Sequence, residues 1–411
     1  MKKQGISAIF LALLGAFPAL SQKMQGDDLL ERLLKKNSPV FDSVLKHRDD
    51  WQVQVIYSTV THKGKNKLEI KDHPFNLDDQ HYYYPASTVK LPVVLLALQK
   101  LNELNIPGLD MNSTMIHFAD GASQTEQYND PNSIDGRPCI AQYIKRILLV
   151  SDNEAFNRLY EFLGQEYINI SLHKLGYNGA EIIHRLDVSL TEEENRHTNP
   201  VSFFDREGKL LYAKPAEISK YIYSAKPVKL GKGFMKAGKL VPEPMDFSKK
   251  NRLPLSELHQ MIRNIMYPAS VPVSRRFLLT DSDLELVRTY MSMPATESRY
   301  PYYDPAEYWD TYVKFLVYGS EPGSSLPWIR IFNKVGDAYG FLIDGAYIRD
   351  LKNETEFFLS AVIYCNSDGI LNDDKYDYAN TGLPFMKALG QLVLQYETDQ
   401  KKKNKDKGTG R

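Results

Sequence analysis

The sequence predicts a mixed α/β fold of the α+β kind. An antiparallel sheet is built from both chain ends, with flanking helices and an inserted all-helical lobe. Three observations predict it. Two β-rich alternating runs stand near the start, at 52–60 and from Lys67 to Ile70; apolar helical spacings follow over 87–104 and 140–175; and three more β-rich runs near the end lead into a closing helix. Strands at both ends and helices between them make one sheet with a lobe beside it, and a cleft between the two layers.

In chain order, Lys2 and Lys3 followed by the apolar run Ile6–Leu20 read as a signal peptide over 1–21, cleaved near Ser21-Gln22. No cysteine follows the apolar run, which argues against a lipoprotein anchor. Leu29, Leu30, Leu33 and Leu34, then Phe41, Val44 and Leu45, give helical spacing over Asp27–Arg48. Gln52–Val60 alternates as a strand, Lys63–Asn66 turns, and a helix from Ser87 ends near Leu104. Residues 105–138 are rich in Asn, Asp, Gly and Pro and read as loop. Helices follow at Ile140–Val150, Glu154–Leu163 (closed by Gly164) and Gln165–Leu175. Residues 200–251 break the rhythm. A hairpin is expected around Asp205–Gly208, and the remainder reads as an inserted segment with little core of its own. Helices resume at Pro254–Met266 and Thr280–Met291, and the aromatic, polar stretch Glu297–Glu321 suggests a lid. Strands are expected at Trp328–Lys334, Gly340–Ile348 and Thr355–Cys365, then a helix over Leu383–Tyr396. The domain thus spans 22–398, and the lysine-rich 399–411 reads as a basic disordered tail.

Composition narrows the function classes. The 51 basic and 51 acidic side chains cancel, which argues against a general nucleic-acid binder. Past the N-terminal run no stretch reaches the ~18 apolar residues of a membrane span. Cys139 and Cys365, far apart, are expected as separate thiols. No His/Cys cluster or H-E-x-x-H motif points to a metal, and no cofactor is expected.

Chemistry concentrates at Ser87-Thr88-Val89-Lys90, at the mouth of an apolar helix. Residues three apart share a helix face, so the Lys90 amine and the Ser87 hydroxyl can meet. A serine is a weak nucleophile until a base takes its proton, and an amine of lowered pKa is such a base. The free N–H groups of a helix start favour developing negative charge. Two more short motifs follow: Ser151-Asp152-Asn153 at a helix end and Lys334-Val335-Gly336 at a strand end.

In that order, Ser87-x-x-Lys90, Ser151-Asp152-Asn153 and Lys334-Val335-Gly336 resemble the penicillin-recognising serine hydrolases, most closely the class A β-lactamase family. The resemblance covers roughly 45–200 and 252–395 and implies a β-lactamase/transpeptidase-like fold. It implies Ser87 as the acylated nucleophile, Lys90 in its activation, and Ser151 as proton relay to the leaving nitrogen. Lys334 would attract a substrate carboxylate and help keep Lys90 neutral, and Asn153 would bind the substrate amide. The N–H groups of Ser87 and Asp337 would form the oxyanion hole, with Gly336 beside them. Arg185-Leu186-Asp187 is similar to the start of the family's omega loop. The family's deacylating glutamate falls at Leu190, so Glu192, Glu193 and Glu194 are the candidate deacylation bases, with Asn195 beside them. Val335 replaces a hydroxylated residue of the family pattern and Asp337 adds a negative charge, both against tight binding of ordinary penicillins.

The expected protein is therefore an exported, periplasmic or secreted, monomeric serine hydrolase acting on a β-lactam or a related amide or ester. A D-Ala peptidase-like cell-wall enzyme and a non-catalytic protein binding peptidoglycan or a partner are the alternatives. The intact set of Ser87, Lys90, Ser151 and Lys334 speaks against the last.

Overall fold

The computed structural model describes residues 28–408 apart from 38, 40, 65–67, 224 and 225. The signal-peptide segment 1–21 lies outside the described residues. Two short helices open the fold, α1 (Leu29–Lys36) and α2 (Asp42–Lys46), where one helical run was expected. β1 (Gln54–His62) and β2 (Leu68–Phe75) form a hairpin, and a 3₁₀ turn (Ala86–Val89) runs straight into α3 (Lys90–Leu104). Leu91 and Val93–Leu98 are all fully buried, so α3 is apolar all round and forms the axis of the lobe. Pro92 sits in the first turn of α3, where the loss of an N–H is tolerated.

β3 (Thr114–His117) lies within the expected loop. Around α3 pack α4 (Ile140–Val150), α5 (Asn153–Leu163) and α6 (Gln165–Lys174). The omega-like segment carries α7 (Glu192–Arg196) and β4 (His197–Thr198). β5 (Val201–Phe204) and β6 (Leu210–Lys214) form the expected hairpin, and β5 pairs with β3 as well. β7 (Glu217–Ile218) pairs with β4.

The insertion continues through β8 (Lys229–Leu230), β9 (Gly233–Lys236), β10 (Lys239–Val241) and β11 (Met245–Asp246). It has an anchor of its own, contrary to expectation. Phe247 is fully buried, with its ring 5.9 Å from that of Tyr84 and 5.1 Å from that of Tyr339.

α8 (Leu255–Met266) and α9 (Asp281–Ser292) cover one face of the sheet. The stretch expected as a lid is instead built into the core at its C-terminal half, where Lys314 to Val317 are buried.

β12 (Ile329–Ala338), β13 (Phe341–Asp350) and β14 (Thr355–Tyr364) complete the main sheet, in the order β12-β13-β14-β1-β2 and antiparallel throughout. Alternation splits its side chains between two cores. Phe341, Ile343, Phe358 and Val362 face α8, α9 and the lobe, whereas Leu342, Ala346, Leu359 and Ile363 face α1, α2 and the last helix. β15 (Ile370–Leu371) pairs in parallel with β9 and ties the insertion to the C-terminal part. α10 (Leu383–Gly408) runs on through the lysine-rich segment expected to be disordered. Lysine and glutamine favour helix once a packed helix precedes them.

Cys139 and Cys365 are both free thiols. Among the described residues no helix is long and apolar enough to cross a membrane.

Candidate active site

The 3₁₀ turn before α3 is locked at its start, where Thr88 donates to the Pro85 carbonyl from both its N–H (3.1 Å) and its hydroxyl (2.6 Å). Ala86, just ahead of Ser87, is held at φ +47°, a left-handed conformation that costs a non-glycine residue about 1 kcal/mol or more. β12 closes against this turn. A methyl group at Gly336 would lie 2.9 Å from both the Pro85 carbonyl oxygen and the Ser87 nitrogen. Only glycine lets the strand come so near, which sets the backbone beside Asp337 close to the Ser87 N–H.

Ser87 is half-buried and opens on a cavity of about 490 Å³. One turn on, Lys90 is fully buried. Its amine donates to the Ser151 carbonyl, to Ser151 Oγ (3.2 Å) and to Asn153 Oδ1 (2.6 Å). Burial, and then the positive charge of Lys334, hold the Lys90 pKa well below the usual lysine range.

Ser151 ends α4 at φ +62°, and Asp152 caps α5 by accepting the Ala155 N–H at 2.9 Å. The buried Arg146 ties the junction down, its Nε donating to Asp152 at 2.9 Å. Lys334 approaches from β12, its amine donating to Ser151 Oγ and to the Val335 carbonyl, both at 2.8 Å. The Ser151 hydroxyl is therefore flanked by two buried amines. Burial pushes Lys334 down to about 7, against the attraction of Asp337 and Asp344.

Beneath Lys334 lies a layer that sequence reasoning missed. Lys314 Nζ donates to Asn333 Oδ1 (2.7 Å), and Asn333 Nδ2 donates to Asp344 Oδ1 (2.9 Å). Lys314 comes from an irregular stretch with no local motif, so nothing in its neighbourhood advertised it.

The omega-like segment is pinned from inside. Arg185, buried, donates from Nε to Glu161 Oε1 at 3.1 Å and from its other nitrogens to the Glu194 and His197 carbonyls. Asn157 holds the backbone of Leu186 from both sides, at 2.9 Å each. The next residue, Asp187, turns at φ +57° and lines the Ser87 cavity, 3.4 Å from Asn153 Nδ2.

The lining of that cavity includes Asp187 and not Glu192, Glu193 or Glu194. Glu192 binds Lys249 at 2.6 Å, which holds its carboxyl down at about 2. Glu193 is exposed, and Glu194 closes a capping box with Thr191. Asn195 is a brace, accepting the Arg185 N–H at 2.8 Å. Of the carboxylates in the omega-like segment, the one two residues after Arg185, and not one of Glu192–Glu194, lines the serine cavity.

Asp337 and Asp374 line the same cavity, with Tyr84, Tyr339, Tyr376 and Tyr378. It is an acidic, aromatic chamber with a serine at its floor. Among the described residues no group of three or more His, Cys, Asp or Glu is placed to hold a metal ion.

Comparison with known proteins follows the same lines. A family model described as the beta-lactamase enzyme family matches residues 53–222. No curated protein matches the chain. Among solved structures, the class A beta-lactamase from Clostridium kluyveri is 12% identical, covering 86% of this chain and 97% of its own, at a TM-score of 0.48. The structure of PBP-A is 14% identical, covering 89% and 96%, also at 0.48. The beta-lactamase from Sphaerobacter thermophilus is 11% identical, covering 89% and 97%, at 0.46. Over residues 53–222, then, the chain is similar to the beta-lactamase enzyme family.

Proposed function

We propose that this protein is an exported serine hydrolase that forms an acyl-enzyme at Ser87 with a β-lactam or a related amide or ester. One observation carries the reading: the Ser151 hydroxyl lies between the Lys90 and Lys334 amines, beside the cavity that Ser87 lines. In this reading Ser87 Oγ attacks the substrate carbonyl carbon and its proton passes to neutral Lys90. The oxyanion is held by the N–H groups of Ser87 and Asp337, a contribution on the order of 3 kcal/mol for one such donor. As the C–N bond breaks, Ser151 gives its proton to the leaving nitrogen and is reprotonated from Lys90. Asp187 then takes a proton from the water that attacks the ester carbonyl, and as the Ser87–acyl bond breaks that proton is returned to Ser87 Oγ, which releases the acid and restores the serine hydroxyl. Asn153, which joins Lys90 to Asp187, orients both.

The carboxylates of Asp187, Asp337 and Asp374 set a preference. Neutral or cationic acyl donors are favoured over strongly anionic ones, since like charges repel in a partly desolvated chamber. Intact-mass measurement after mixing with a penicillin and with a neutral activated ester tests the reading. The expected result is one acyl adduct, formed faster with the ester and absent in Ser87→Ala. No adduct with either donor would favour a binding protein on this fold.

A further inference from the structure

Consecutive side chains of the extended Tyr82–Tyr84 segment serve different spaces. Tyr84 lines the Ser87 cavity, whereas Tyr83 lines a separate one of about 290 Å³ with Asp79, Lys226, Arg252 and Glu257. Three buried polar atoms of these lining residues have no protein partner: Tyr83 Oη, Glu257 Oε2 and Arg252 Nε. Leaving even one such atom unpaired is costly, and three lining one cavity call for something that binds them. Tyr83 is only 4% exposed, so its hydroxyl cannot turn out to bulk solvent.

The rest of the molecule holds these groups in place. Glu257 Oε1 accepts the Gly179 N–H at 2.8 Å, which leaves Oε2 free. That approach needs a glycine, because a methyl group at 179 would come within 2.4 Å of Pro254 Cγ. Asp79 is fixed by the Ser256 hydroxyl at 2.7 Å. Arg252 exchanges backbone hydrogen bonds with Glu181, lies over the Tyr82 ring at 4.6 Å, and donates from Nη2 to the Lys226 carbonyl at 2.9 Å. Burial and the nearby Asp79 push Glu257 up to about 7, against the smaller opposing pull of the Gly179 and Ala180 N–H groups and of Arg275. The cavity thus offers two carboxylates and a phenol oxygen together with two cationic side chains.

We propose that this cavity binds a small zwitterion of amino-acid size, its ammonium group on Glu257, Asp79 and the Tyr83 oxygen and its carboxylate on Arg252. Neither a simple anion nor a simple amine satisfies both sets. Lys226 stands beside Arg252 and adds to the attraction for the carboxylate.

Isothermal titration of the full-length protein with glycine, L-alanine, L-glutamate and L-lysine tests the site, with propionate and ethylamine as single-charge controls. At least one amino acid is expected to bind about tenfold or more tighter than either control, and Tyr83→Phe and Glu257→Gln are each expected to weaken it by about tenfold. Amide shifts on binding should centre on residues 79–83 and 252–257 in a ¹⁵N spectrum, which separates this cavity from the Ser87 one. No saturable binding by any of the four up to about 10 mM, equal binding of the controls, or affinity unchanged in both variants would overturn the proposal. A Ser87→Ala protein should bind the same ligand unchanged, so the result stands apart from the serine chemistry.

Discussion

Ser151 is the residue on which the proposed chemistry turns. Its oxygen has two lone pairs and can accept from both amines whatever their charge, while Lys90 must be neutral to act as a base. Burial acts on both lysines in the same direction. Lys334 keeps its charge below about 7 and loses it as pH rises through that value. An anionic acyl donor should therefore show a kcat/KM that falls up to about tenfold per pH unit above 7, whereas a neutral ester should lack that limb. Matching pH–rate profiles for the two donors would remove Lys334 from carboxylate recognition.

Asp187 makes the second prediction at this scale. Asp187→Asn should leave acylation in place and slow deacylation by about 10²-fold or more, so that the adduct persists by mass spectrometry. Glu192→Gln, which weakens only its surface ion pairs with Lys249 and Arg196, should turn over as the parent does. The opposite pair of results would return the base to α7.

Among the elements, β12 and the 3₁₀ turn meet at one glycine. Gly336→Ala forces its methyl group onto backbone atoms of Pro85, Ser87 and Thr88, which cannot swing aside as a side chain can. Acylation should drop by about 10²-fold with the far-ultraviolet spectrum unchanged, since a 1 Å shift at a reacting centre costs that much. An unaltered rate would mean that the strand and the turn are not held as close as this.

The same junction shows what was legible in the sequence and what was not. Ser87 and Lys90 stood out by their three-residue spacing, across the 3₁₀ turn and into α3, and Ser151 by its place at a helix end. Lys334 did so by its place on a strand, because each property is local. Asp187 did not, because its position is decided by Arg185 reaching Glu161 and by Asn157 gripping Leu186, partners more than twenty residues away. β3 and β15 escaped for the same reason: two to four residues are too few to show a period, and they are strands only through distant partners. The helical extension of α10 depends on the packed turns before it rather than on its own polar sequence.

At the scale of the whole molecule, the question is what holds two lobes around one cavity. The sheet is built from both chain ends and the lobe from the middle, so the cavity walls come from segments joined only by packing. Tyr84 belongs to the entry of the lobe and Tyr339 to the turn after β12, and their rings meet edge to face at 5.0 Å. Phe247, supplied by the insertion, packs on both and is fully buried. The insertion thus acts as a wedge that backs the cavity wall from outside, with Phe247 as its fully buried contact with the core. Phe247→Ala removes that wedge and should cost about 3–5 kcal/mol in urea unfolding, as expected for a phenylalanine truncated in a packed core. Phe247→Leu should recover most of it, since volume is nearly kept. Because the two tyrosines lose their common support, the alanine variant should also acylate more slowly than its loss of folded protein accounts for. A cost below about 1 kcal/mol would mean that the insertion only rests on the surface, and that the tyrosine pair keeps the cavity wall without it.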